Sequence, residues 1–107
     1  MRYIPSQIPS ESQMQELAEF YTVFADATRV KLLYQLLEGE KCVGDIADAV
    51  GISQSATSHQ LRFLKEKGVV GNRRAGQNMY YRLIDDHIVT ILSMGLEHVL
   101  APGDEHI

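Results

Sequence analysis

Apolar residues recur every three to four positions along most of this chain, the spacing of helices with one buried face. From Ser12 to Phe24, the residues Met14, Leu17, Ala18, Tyr21 and Phe24 share such a face, and Ser10 or Glu11 stands where the helix would open. Asp26 is placed to cap a second helix, with Val30, Leu32, Leu33, Leu36 and Leu37 inward and a stop at Gly39. A third, shorter helix is predicted over about 43–50, with Ile46, Ala47 and Val50 inward, and Gly51 supplies the turn after it. The fourth helix runs from Ser53 to Lys67 and closes at Gly68. Its buried face is Thr57, Leu61 and Leu64, and Ser55, Ser58, His59, Arg62 and Lys65 lie outside. The periodicity then breaks. Residues 69–74 and 79–83, rich in β-favouring Val and Tyr around Ala75-Gly76-Gln77-Asn78, predict a hairpin. A last helix spans about 86–100 and ends before Pro102-Gly103. There are no internal repeats.

These elements predict a mainly α fold with a small β-hairpin, about five helices in a winged helix-turn-helix arrangement. Three segments are expected: a flexible polar arm over 1–10, a working domain over 11–101 and a short tail over 102–107. At 107 residues with 45% apolar content, the chain has room for one domain with an ordinary core. One Cys cannot form an internal disulfide, and the polar start has no apolar run of signal-peptide length, so a cytoplasmic protein without membrane contact is expected.

The formal charge of −4 argues against nucleic acid as a partner until it is resolved by position. Residues 53–82 hold six basic groups (Arg62, Lys65, Lys67, Arg73, Arg74 and Arg82) and one acid, Glu66. That segment is therefore +5, leaving −9 on the other 77 residues. The basic segment coincides with the fourth helix and the hairpin. In a helix-turn-helix the start of the second helix enters the major groove, where short hydrogen-bonding side chains are needed. Gln54, Ser55, Ser58 and His59 meet that need, and Gln can pair bidentately with adenine. Arg62, Lys65, Arg73 and Arg74 are expected at backbone phosphates on either side. A helix-turn-helix used only for protein contact is the competing reading, disfavoured by this polar and basic face.

Three stretches carry a family resemblance: Phe24-Ala25-Asp26-Ala27-Thr28-Arg29, Cys42-Val43-Gly44-Asp45-Ile46-Ala47, and Ser53-Gln54-Ser55-Ala56-Thr57-Ser58-His59-Gln60-Leu61. Together with the wing phrase from Gly76-Gln77 to Tyr81, they make the chain resemble the ArsR/SmtB family of metal-sensing winged-helix repressors, in its zinc-sensing branch. The resemblance implies a homodimer, joined through the first and last helices, that represses an operator on double-stranded DNA until an inducer binds.

The last helix carries candidate metal chemistry. His87 and His98 are eleven residues apart, about three turns, so they share a face but stand ~16 Å apart along the axis. One helix cannot chelate with both. Two copies packed antiparallel across a two-fold axis would set His87 of one against His98 of the other, with Asp85 as an oxygen ligand. The resemblance implies the same inter-subunit arrangement, with His or Glu three residues beyond the later His. Here that position is Ala101, so the fourth ligand falls to Glu105, His106 or a water. Imidazole and carboxylate without thiolate suit Zn(II), with Co(II) or Ni(II) as alternatives, better than soft ions. The family's other site type joins a third-helix Cys to Cys or His of the arm. Cys42 matches its helix half, but residues 1–41 contain no further Cys and no His, so Cys42 is expected to be a packing residue. No nucleophile, base and orienting group occur together and no phosphate-cradling loop is present, so neither an enzyme nor a small organic substrate is expected. Two other functions compete with the zinc-released repressor. One is a winged-helix repressor whose metal site has degenerated and which answers another inducer. The other is a metal-binding or interaction module that no longer reads DNA.

Overall fold

The computed structural model describes residues 6–102; the first half of the expected arm, and Glu105 and His106, lie outside the described residues. The elements in chain order are α1 (Glu11–Thr22), α2 (Ala27–Gln35), β1 (Lys41–Cys42), α3 (Val43–Val50), α4 (Gln54–Glu66), β2 (Val70–Ala75), β3 (Asn78–Leu83) and α5 (Asp86–Leu100). All five predicted helices and the hairpin are present. Local chemistry explains most of the helix starts. Ser10 and Gln13 form a reciprocal capping box on α1, and Asp26, Ser53 and Asp85 each accept a backbone N–H from the first turn of α2, α4 and α5.

Two helices end earlier than their apolar spacing suggests. After Thr22 the backbone tightens to three-residue hydrogen bonds, from Val23 to Phe20, Phe24 to Tyr21 and Ala25 to Thr22. After Gln35 the same happens, with Leu36 donating to Leu33 and Leu37 to Tyr34. Such tightening satisfies carbonyls that a helix end leaves over. It also keeps the apolar side chains of both segments on the inner face. Val23 and Leu36 are buried and Leu37 packs against the core, while Val30, expected inward, is 37% exposed.

The core is built from Val23, Leu32, Leu33, Leu36, Ile46, Leu61, Leu64, Val69, Val70, Tyr81, Leu83 and Ile88. Every helix but α1 contributes, and α1 has no buried residue of its own. The sheet holds one strand that periodicity did not reveal. β1 pairs antiparallel with β3, Lys41 opposite Tyr81 and Cys42 opposite Tyr80, giving the order β1-β3-β2. Because β1 runs straight into α3, the hairpin is tied directly to the first helix of the helix-turn-helix.

Candidate nucleic-acid interface and metal ligands

Between α3 and α4 the chain turns through Gly51 at φ 83°, a left-handed conformation that costs a residue with a Cβ about 1–2 kcal/mol. Gly51 and Ile52 both donate to the carbonyl of Ala47, and Ser53 then caps α4 through the N–H of Ala56 at 3.0 Å. Thr57 is the one buried polar side chain among the described residues; its hydroxyl donates to the Ser53 carbonyl at 2.8 Å. This bond lets a polar residue sit under α4, against the core, without an orphaned group.

The opposite face of α4 displays the expected set. Gln54, Ser55, His59, Arg62 and Lys65 are exposed and Ser58 is half-buried. Gln54 folds back on α3: a Cβ placed on Gly44 would lie 3.5 Å from its amide nitrogen. Phe63 carries two cations, Arg29 of α2 with its guanidinium 4.9 Å from the ring centre and Lys67 with its ammonium at 5.6 Å. The Arg29 contact fastens the α4 C-terminus to α2, while the Lys67 contact is local to the end of α4.

In the hairpin the five basic and aromatic residues, Arg73, Arg74, Tyr80, Tyr81 and Arg82, divide by strand register. Arg74 is exposed, opposite Met79. Arg73, expected at a phosphate, is exposed and pairs within the chain. Its Nε and Nη2 donate to the Glu40 carboxylate at 2.7–3.0 Å, and its guanidinium lies 4.9 Å from the centre of the Tyr80 ring. Hydrogen bonding to Arg73 holds the Glu40 carboxyl below the usual carboxylate range, and the same bonds raise the Arg73 pKa. Arg82, absent from the expected contacts, lies across Gly71, where any Cβ would stand 2.9 Å from its guanidinium. Its alternation with Tyr80 and its glycine partner were the signals available in the sequence.

At α5 the structure brings two of the expected metal ligands together and keeps the third apart. Asp85 divides its carboxylate: Oδ1 caps the helix through the Ile88 N–H at 3.1 Å, and Oδ2 faces His87 Nδ1 at 3.6 Å. The His87 side chain is 92% exposed, so this pair is open to solvent. His98 is exposed near the other end of the same helix, and Ala101 forms its C-terminal cap through the Glu97 carbonyl. Among the described residues no three His, Cys, Asp or Glu groups converge on one point. Asp85 and His87 are a fitting pair of hard and borderline donors, and among the described residues of one protomer His98 does not join them. Cys42 is free and half-buried at the start of α3.

Apolar surface is left uncovered on α5 and on α1. Met94, Leu96, Val99 and Leu100 of α5 and Met14, Leu17 and Tyr21 of α1 are 37–73% exposed. A groove of about 480 Å³ between α2 and α5, lined by Phe24, Val30, Tyr34, Leu92, Leu96 and Val99 among others, continues it. No helix among the described residues is long and apolar enough to cross a membrane.

A helix-turn-helix with a three-stranded wing and a polar, basic second helix defines a DNA-binding regulator of the winged-helix class. The family described as "Bacterial regulatory protein, arsR family" matches residues 26–71. The "Transcriptional repressor SmtB homolog" of Synechocystis sp. is 38% identical over 99 residues, covering 92% of this chain and 75% of that protein. The "Cadmium resistance transcriptional regulatory protein CadC homolog" of Staphylococcus aureus is 38% identical over 84 residues, 78% of this chain and 69% of that one. Among solved structures, the homodimeric winged helix-turn-helix DNA-binding domain Mb0332 of Mycobacterium bovis superposes with a TM-score of 0.75 at 28% identity, covering 85% of this chain and 91% of that chain. The chain belongs to the arsR family of transcriptional regulators, and it is not an enzyme.

Proposed function

We propose that this protein is a homodimeric, metal-responsive repressor. Its metal-free form holds operator DNA, and Zn(II), bound between Asp85 and His87 of one protomer and His98 of the other, releases it. The observation that carries the reading is the placement of donors at the two ends of an uncovered apolar helix. Leu96, Val99 and Leu100 leave α5 with a face that water covers poorly, and α1 adds a second such face. A second copy packed antiparallel on α5 covers both and carries each His98 to the other protomer's Asp85–His87 pair. The homodimeric Mb0332 domain and the cadmium-resistance regulator support the assembly and the metal response. The absence of thiolate from the α5 donors favours Zn(II), with Co(II) or Ni(II) next, over softer ions. Glu105, His106 or a water completes the coordination. Residues 11–101 form the DNA-binding and dimerisation unit and the site of action is the cytoplasm.

On the DNA side, Gln54, Ser55, Ser58 and His59 meet base edges and phosphates in the major groove, and Arg62, Lys65 and Arg74 neutralise phosphates beside it. Two-fold symmetry sets the half-sites about one helical turn, ~34 Å, apart. Metal weakens DNA binding only by favouring a dimer geometry that misplaces the two α4 helices, and linkage requires DNA to weaken metal binding by the same factor. The test is operator anisotropy with chelator and then with zinc, cobalt, nickel and cadmium in turn, repeated on His98→Ala. Zinc is expected to release the parent and not the variant; equal release of both removes His98 from the site. Ala101 favours one second reading, a repressor that answers a different inducer, and operator binding indifferent to all four metals would establish it.

A further inference from the structure

The outer face of the sheet gathers Glu40, Arg73, Tyr80 and Arg82. Glu40 directly precedes β1, and β1 leads without a break into α3, so Glu40 stands at the entrance to the helix-turn-helix. Arg73 is in mid-wing, opposite Tyr80 in the β2–β3 ladder. Two nitrogens of Arg73 meet both oxygens of Glu40 at 2.7–3.0 Å, a paired geometry that fixes direction as well as distance. Tyr80 closes the guanidinium from one side, and Arg82 adds a second positive charge near the carboxylate. A side chain that only awaited a phosphate would need neither a carboxylate partner nor an aromatic support.

We infer that Arg73 and Glu40 are positioning residues for operator recognition: they lock the wing to the entrance of α3, so that wing and reading helix meet DNA as one rigid unit. The inference rests on the DNA-binding reading above and assigns Arg73 a role other than phosphate neutralisation. It has an unusual consequence for charge. Removing the acid at 40 and removing the base at 73 change the electrostatics in opposite senses, yet both release the same lock. As a phosphate ligand, Arg73 would instead make Glu40 a competitor of DNA, and losing Glu40 would tighten binding.

The experiment compares Glu40→Ala, Arg73→Ala, the double variant and the exchanged pair Glu40→Arg with Arg73→Glu, all in the full chain. Anisotropy on operator and on random duplex over a salt series gives the specificity ratio. Both single variants are expected to lower that ratio about two- to fivefold, the scale of an exposed charge pair. The double variant should match the singles, because one lock is lost only once, and the exchanged pair should recover the parent ratio. Arg73→Ala should keep the parent salt slope. A slope shallower by about 0.9, the loss of one phosphate contact, or tighter operator binding by Glu40→Ala, overturns the lock. Amide hydrogen exchange of the free protein is read in parallel. Glu40→Ala is expected to expose Lys41, Cys42 and the facing part of β3 to faster exchange, and unchanged protection there overturns the lock whatever the DNA result. If the parent itself showed no salt-dependent DNA binding, the DNA reading would fail while the exchange measurement still decided the lock.

Discussion

Asp85 shows how one side chain serves two tasks. One oxygen caps α5 while the other faces His87, so stability and the proposed metal binding are separable by substitution. Asp85→Asn retains a capping oxygen and should keep the melting temperature, yet it should weaken zinc binding through loss of the anionic ligand. Asp85→Ala loses both, with a capping cost of about 0.5–2 kcal/mol. Thermal melting with and without zinc separates the two, and a parental zinc affinity in Asp85→Asn would remove Asp85 from the ligand set. Zinc affinity should also fall as pH is lowered, since imidazole must shed its proton to coordinate, and calorimetry at several pH values reads this directly. The Glu40–Arg73 pair has its own sign. Glu40's carboxyl is lowered in the folded state, so the pair's contribution is present above the ordinary carboxylate range and is lost as pH falls through the lowered value. Wing protection in hydrogen exchange should accordingly persist into mildly acidic buffer.

At the scale of elements, α4 depends on Gly51 in front and Thr57 beneath. Gly51→Ala imposes the left-handed cost of about 1–2 kcal/mol at the turn that sets the angle between α3 and α4. The expected result is a lower melting temperature together with weaker operator discrimination, measured by calorimetry and anisotropy on the same sample. Gly71→Ala differs. Its Cβ meets the far end of the flexible Arg82 side chain, so Arg82 should move aside at little cost in stability. Helix positions were legible because their determinants are local. Asp26, Ser53 and Asp85 each cap within three residues, and Thr57, Leu61 and Leu64 read as one face from spacing alone. β1 was not legible. Two residues, Lys41 and Cys42, have no periodicity, and they become a strand only by pairing with Tyr81 and Tyr80 some forty positions away.

For the whole molecule, the proposed dimer covers the exposed apolar faces of α1 and α5. Met94 is 59% exposed in the single chain, so Met94→Glu should leave the protomer's fold intact. It should shift the protein to monomer in sedimentation and abolish tight operator binding, because two half-sites then have to be bound independently. A Met94→Glu protein that remained dimeric would place the dimer contact elsewhere.

Sequence alone determined the five helices, the hairpin, the segregation of +5 onto α4 and the wing, and the presence of Asp85, His87 and His98 on one helix. All of these follow from interactions within a few residues or from composition by segment, which a linear chain displays. Only the tertiary structure decided that Arg73 pairs with Glu40, 33 residues away, that Arg82 rests on Gly71, and that α1 has no fully buried residue within its own protomer. Each of those depends on where distant segments meet. A charge looks the same in sequence whether a phosphate or a carboxylate awaits it, and an apolar face looks the same whether its cover is the same chain or a second copy.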